Sequence, residues 1–161
     1  MPTKISKDPV RSRRYRRLAF TVQVASNAAG VPPARKLRHW AREALHGRAR
    51  VTVRIVGSRE GRALNHRYRG RDYATNVLTF TYANAPVLCG DIALCAPIIR
   101  REAHNQAKAL DAHYAHLLVH GMLHLQGHDH RLKRDAALME AREVAVLKRL
   151  GYDDPYAPVH V

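Results

Sequence analysis

Four segments of the chain have the hydrophobic pattern of β-strands. In residues 18–24 and 51–55 the apolar side chains alternate with smaller or polar ones, and NVLTFTY at 76–82 and LCGDIALC at 88–95 supply two further segments. A period of two places successive side chains on opposite faces of a strand, so each segment is predicted to be a strand. Residues 84–86, Asn-Ala-Pro, predict a turn between the last two.

Between and after these strands the hydrophobic period changes to about 3.6, which predicts helices. Pro32 and Pro33 open a helical stretch that ends at Gly47. Ser58 is positioned to cap a second helix, which stops near Gly70. The remaining helical segments are 97–109, 112–126 and 133–149, with Gly127 and Gly151 as C-terminal stops.

The order of the elements predicts an α+β fold, with a mixed sheet of about four strands and about five helices packed on one face. The 161 residues are about one domain long and can bury a core without disulfides or a structural metal. Residues 1–17, which include RSRRYRR, are predicted to be a basic flexible arm, and 18–161 a single domain. The arm is either a solvated tail or a contact for RNA, and both alternatives stay open.

The charge of the chain favours a polyanionic partner. Lysine and arginine outnumber aspartate and glutamate by 28 to 13, which gives a formal net charge of +15. Such an excess is typical of proteins that bind nucleic acid, and solubility alone is the weaker explanation.

The cysteines and the apolar segments of the chain predict its compartment. Cys89 and Cys95 match neither a metal-binding pair nor a disulfide framework, and both are expected to be reduced core residues. No segment approaches the roughly 20 apolar residues of a membrane span, and the N-terminus has no apolar signal core. A cytoplasmic protein without a membrane partner is therefore expected.

The segment HGMLHLQGHDH, residues 120–130, has the spacing of a zinc site. His120 and His124 lie one turn apart on a predicted helix, about 6 Å along its axis, so both can reach one ion. Gly127 can adopt the left-handed conformation that brings His130 back towards them. Three neutral imidazoles leave the fourth position of a tetrahedral zinc open to water, as in catalytic sites. Gly121 stands where H-E-x-x-H proteases carry their catalytic glutamate, so different chemistry is expected.

Spacing alone does not assign a role to the other polar residues near this segment. His116 lies about 12 Å along the axis from His124, too far to share a metal, and is either a supporting group or an ordinary histidine. His113 is expected to be exposed. His128 and Asp129 either orient the ligands or satisfy the backbone of the turn, and spacing does not choose between these roles.

A second polar cluster lies in YRGRDYATNVLTF, residues 68–80. Arg69, Arg71 and Asp72 precede a predicted strand, in a loop that continues through the small polar residues Thr75 and Asn76. An arginine there can grip a phosphate or stabilise charge that develops on it. The alternative is a surface salt bridge between Arg71 and Asp72.

These segments together resemble the YbeY endoribonucleases, also called ribosomal RNA maturation factors. The resemblance implies one zinc ion held by His120, His124 and His130, and makes Arg69 the functionally important arginine of the active-site groove. Two departures are His128, where the family usually has tyrosine, and Thr81, where proline is common. The matching segments are LNHRYRGRDYATNVLTF at 64–80, GDI at 90–92, AHLLVHGMLHLQGHDH at 115–130 and GYDDPY at 151–156.

The resemblance also implies a function: maturation of the 3′ end of small-subunit ribosomal RNA, and ribosome quality control. The expected enzyme is a zinc-dependent endoribonuclease for single-stranded RNA, with ribosomal RNA and the small ribosomal subunit as partners and an undetermined oligomeric state. Hydrolysis by metal-activated water and attack by the ribose 2′-OH both stay open, with Asp129 or Asp72 as candidate proton acceptors. The rival functions are a zinc peptidase, which Gly121 and the basic charge disfavour, and a non-catalytic RNA- or ribosome-binding factor in which zinc organises the fold.

Overall fold

A four-stranded mixed sheet organises the protein in the computed structural model, which describes residues 17–158. The strands β1 to β4 lie in the order β1-β2-β4-β3; β1 pairs with β2 and β2 with β4 in parallel, whereas β3 and β4 are antiparallel. The predicted mixed sheet is therefore confirmed. Residues 1–16 of the predicted N-terminal arm lie outside the described residues. The strands are β1 Leu18–Val24, β2 Ala49–Val56, β3 Val77–Ala83 and β4 Leu88–Cys95.

Five α-helices accompany the sheet in the described part of the chain. Helix α2 ends as predicted, at Gly70 with a φ of 68°, but its N-cap is Gly57 and no side chain caps it. The prediction that Ser58 caps this helix is wrong, because Ser58 is already the first helical residue. The helices are α1 Ala34–Glu43, α2 Ser58–Arg69, α3 Ala96–Asn105, α4 Leu110–Leu125 and α5 Lys133–Arg149.

Helix α4 lies directly on one face of the sheet. A Cβ atom at Gly121 would lie only 3.2 Å from Ile92 Cδ1 of β4, so the absence of a side chain at 121 allows the close approach of helix and sheet. Leu118 and Met122 of the same helix are fully buried in the core. Burial of several such side chains stabilises this packing by about 1.5–3 kcal/mol each and fixes the position of the helix.

Helix α2 lies against the opposite face, contrary to the prediction of one helical face. Its Gly61 approaches the side chains of Cys95 and Val56, which alternate along their strands with core residues. This face also carries Thr52 and Asp91, which are only partly buried. Since α2 leads into the antiparallel edge strand β3, the handedness rule for parallel crossovers does not fix its side.

Both cysteines lie on β4 as free thiols, with Cys95 buried and Cys89 partly buried. Within residues 17–158, none of the helices combines the length and the apolar character that crossing a lipid bilayer requires.

Candidate metal centre

Three histidines meet where helix α4 ends. His120 and His124 lie on its last two turns, and Gly127, with a φ of 95°, reverses the chain so that His130 returns to them. One ring nitrogen from each histidine lies within 4.8 Å of the other two. These three residues, the histidine triad, could hold one metal ion.

One pair of ligand atoms and the charge state of His124 are compatible with a divalent metal ion such as zinc. Zn–N bonds of about 2.0–2.1 Å in a tetrahedron would separate two ligand nitrogens by about 3.3 Å, and His124 Nε2 lies 3.1 Å from His130 Nδ1. Burial, with the neighbouring His120 and His130, lowers the pKa of His124 to about 4. His124 is therefore neutral at pH 7, which is the form that binds a metal.

A buried glutamate orients the first histidine of the triad. Glu143 of α5 has no solvent exposure, and its Oε1 is hydrogen-bonded to His120 Nδ1. A carboxylate only accepts, so Nδ1 carries the proton and leaves the Nε2 lone pair for a metal. Sequence reasoning did not identify Glu143. Its one signal is that it is an acid on the buried stripe of α5, with Met139, Val146 and Leu147.

His116 and Tyr156 complete the surroundings of Glu143. His116 Nε2 lies 3.2 Å from Glu143 Oε2, which also accepts a hydrogen bond from the Tyr156 hydroxyl. Burial raises the pKa of Glu143, but hydrogen bonds from His116, His120 and Tyr156 more than offset this effect and hold the pKa at about 2. Of the two interpretations of His116, support of the site therefore matches its contacts, because it reaches the triad through Glu143.

Arg69 and the histidine triad line the same open groove, of about 740 Å³, here called the triad groove. Arg69 is the last residue of α2 and its side chain is exposed. Among residues 17–158, no carboxylate forms an ion pair with Arg69, so its guanidinium is available to an anion in the groove. The fold thus brings together two motifs that are about 50 residues apart in the sequence.

Only one of the two candidate proton acceptors faces the triad groove. Asp72 forms a bidentate pair with Arg62, at 2.8 and 3.0 Å, so the alternative pair with Arg71 is wrong. Asp129 lines the groove, and its Oδ1 accepts a hydrogen bond of 2.7 Å from the backbone N–H of His130. That hydrogen bond is the main reason why the pKa of Asp129 is lowered.

A second, partly buried network holds the loop before β3. Asn76, which lines the triad groove, donates a 3.0 Å hydrogen bond to Glu102 of α3. Glu102 lies 3.0 Å from Nε2 of His113, and burial lowers the pKa of that imidazole. The expectation that His113 is exposed is wrong, because it is 3% exposed and packs between α3 and α4.

Gly121 has a structural reason for replacing the protease glutamate. Besides Ile92, a Cβ atom there would meet Thr79 Cγ2 at 3.4 Å, so residue 121 is enclosed between α4 and the sheet. A glutamate would have to displace these neighbours. The close packing of α4 on the sheet thus explains why this position carries no general base.

The family comparison agrees with this geometry. The model of the family described as endoribonuclease YbeY matches residues 25–151. The endoribonuclease YbeY of Methylibium petroleiphilum is 55% identical over 146 residues, which cover 91% of this chain and 97% of that protein. The endoribonuclease YbeY of Nitrosomonas europaea is 48% identical over 164 residues, which cover 99% and 100%.

Among solved structures, a Thermotoga maritima protein known from its solution structure shares the fold, with a TM-score of 0.52 at 23% identity, over 86% of this chain and 100% of that one. The family match spans both the arginine segment and the histidine triad. The chain therefore belongs to the YbeY family of endoribonucleases.

Proposed function

We propose that this protein is a zinc-dependent endoribonuclease that hydrolyses single-stranded RNA in the triad groove. The observation that carries the proposal is that the histidine triad and Arg69, which pairs with no carboxylate of residues 17–158, line one open groove. Family membership supports RNA as the substrate. The net charge of +15 favours binding of a polyanion.

His120, His124 and His130 would hold the zinc ion, which would supply a Lewis acid and lower the pKa of a coordinated water towards about 7. Glu143 keeps the proton of His120 on Nδ1, so the ring presents Nε2 to the ion. Arg69 grips the phosphate and stabilises the charge that grows on its oxygens. Asp129, which lines the groove, would accept a proton.

The cellular role that we propose is maturation of the 3′ end of small-subunit ribosomal RNA and ribosome quality control in the cytoplasm. The partners would be ribosomal RNA and the small ribosomal subunit, bound by residues 18–161 as one domain with residues 1–17 as a basic arm. The single-stranded form of the substrate suits an open groove, since a single strand can splay out its unstacked bases, whereas the bases of a duplex are stacked and paired.

A cleavage assay with end-labelled RNA tests this proposal. Zinc-loaded protein should cut a single-stranded RNA and leave its duplex form intact, and a chelator should abolish the cutting. Products with 5′-phosphate and 3′-hydroxyl ends support metal-water hydrolysis, whereas a cyclic phosphate indicates attack by the ribose 2′-OH. Tight RNA binding without cleavage by the loaded protein would contradict the proposal and favour the non-catalytic binding factor.

A further inference from the structure

A second groove of about 700 Å³, here called the basic groove, adjoins the triad groove. Two arginines, Arg48 and Arg142, and two histidines, His46 and His128, contribute to its lining. None of the described residues that line it is acidic. A groove of this composition attracts anions, and its charge lies beside the site where the proposed reaction occurs.

The two grooves meet at the turn that follows α4. Gly127 and His128 line both of them. A Cβ atom at Gly127 would have nothing within 4 Å, so the space beside this shared residue is open. A strand lying in the triad groove can therefore continue into the basic groove past Gly127.

The wall of the basic groove is attached to the helix that carries the triad. The Gln126 side chain donates a 2.7 Å hydrogen bond to the carbonyl of Ala44, and its Oε1 accepts one of 2.8 Å from the backbone N–H of His46. Gln126 is only two residues beyond His124, so these bonds hold the segment that carries His46 and Arg48 at a fixed distance from the triad.

The other two basic residues of the groove, His128 and Arg142, also lie at the turn that follows α4. His46, His128 and Arg142 all line the basic groove, so α5 and the segment after α1 both approach the turn. Arg142 is exposed, and among residues 17–158 it has no carboxylate partner. Its guanidinium is therefore available to a ligand in the basic groove.

From this arrangement we infer that the basic groove is a subsite for the phosphate backbone of the RNA strand, on one side of the bond that is cut. The inference rests on the proposed function and extends it, because it assigns the protein a footprint longer than the triad groove. Contacts to phosphate bind without reading sequence, so the subsite would raise affinity for longer strands rather than select bases.

The test compares Arg142→Ala with Arg134→Ala in the zinc-loaded protein. Both residues are exposed arginines on α5 and both changes remove one charge, but Arg134 lines neither groove. The substrates are a single-stranded RNA of about 12 nucleotides and one of about four, with the same cleavage site. For Arg142→Ala, the ratio of kcat/KM on the long RNA to that on the short RNA should fall about tenfold or more, since one charge-assisted contact is lost.

Binding supplies a readout that does not depend on cleavage. The affinity of the 12-nucleotide RNA, measured by fluorescence anisotropy against salt, should lose about 0.7 from its logarithmic salt slope in Arg142→Ala and nothing in Arg134→Ala. This difference should appear even in a preparation that cuts no RNA, so failure of the proposed nuclease activity and failure of the subsite are distinguishable.

Three results would overturn the inference. Equal losses in the two variants would mean that only the overall charge of the protein matters. Equal losses on long and short RNA would place Arg142 outside any extended footprint. Displacement of the 12-nucleotide RNA from the basic groove by polyglutamate at lower concentrations than by polyuridylate would indicate a protein partner instead.

Discussion

The two walls of the triad groove are supported in different ways. The histidine wall, formed by the triad, is backed by Glu143, which is fully buried and hydrogen-bonded to His120. The arginine wall, formed by Arg69 and the loop 70–76, is backed by the Arg62–Asp72 pair, in which both side chains are more than half exposed. The carboxylate behind the histidine wall is thus fully buried, whereas the loop of the arginine wall is held both at the surface, by Asp72, and further along, by the hydrogen bond from Asn76 to Glu102.

This difference matches what each wall has to bind. Metal ligands must converge within a few tenths of an ångström, so their rings need partners that fix their orientation. A guanidinium that grips a phosphate needs solvent access before the substrate arrives, and its charge acts over a longer range than a coordinate bond. The comparison predicts that changes in the histidine wall act through the metal, whereas changes in the arginine wall act on RNA alone.

Removal of a triad ligand should have the largest effect. His124→Ala is expected to lose stoichiometric zinc and to reduce RNA cleavage to background, with a lower melting temperature if the metal also ties His130 to α4. Metal analysis and a labelled-RNA assay on one preparation measure both losses. His104→Ala on α3 is the matched control, because His104 is exposed and lies outside the groove. Normal cleavage by His124→Ala would point to a contaminating nuclease.

Removal of the Arg69 side chain should reduce RNA cleavage without affecting the bound metal. Arg69→Ala is expected to reduce cleavage about a hundredfold or more, because a group aimed at transition-state charge contributes about 3–4 kcal/mol. Zinc content and melting temperature should stay at wild-type values. Arg69→Lys should recover only part of the rate, since lysine cannot bind a phosphate through two parallel N–H donors as a guanidinium does. Arg59→Ala, an exposed arginine of the same helix outside the groove, should cleave normally. Zinc loss in Arg69→Ala would contradict the prediction that the arginine wall acts on RNA alone.

Replacing the carboxylate of Glu143, which supports the histidine wall, by an amide should have a smaller effect, confined to zinc affinity. Glu143→Gln removes the charge that holds His120 and is expected to lower zinc affinity about 10- to 100-fold. Competition with a chelator of known affinity measures the zinc affinity. The melting temperature of the metal-free protein separately reports any loss of stability. Glu140→Gln, an exposed acid of the same helix, is the control. Unchanged zinc affinity would show that Glu143 serves the core and not the metal.

Replacing the carboxylate of Asp72, in the arginine wall, by an amide should have the smallest effect. Asp72→Asn breaks the exposed pair with Arg62, and exposed ion pairs contribute little to stability. Zinc affinity should be unchanged, and cleavage should stay within about twofold of wild type over a range of pH. A large fall in cleavage would instead identify Asp72 as the proton acceptor of the reaction.

Local patterns were enough to predict much of the fold and the triad. The bounds of β4 and α5 match the segments 88–95 and 133–149, because each has a clear hydrophobic period and a break at its end. The meeting of His120, His124 and His130 follows from a helical turn and a glycine that reverses the chain. These features depend only on residues that are close in the sequence.

Contacts between distant segments were not predictable in this way. Glu143 is 23 residues from His120 and on another helix, and a single acid in a buried stripe does not indicate which residue it meets. His113 has helical surroundings that gave no sign of Glu102, its partner on α3. The side of the sheet on which α2 packs also depends on the whole topology rather than on its own residues.

Zinc reconstitution tests the central claim, that the triad groove is a metal-dependent nuclease site, most directly. Chelator-treated protein is titrated with zinc while bound metal and cleavage of a single-stranded RNA are measured on the same samples. We predict that cleavage is absent without metal and rises in proportion to bound zinc, with a plateau at one ion per chain. Full cleavage by metal-free protein, or one bound zinc per chain without any cleavage, would contradict the claim.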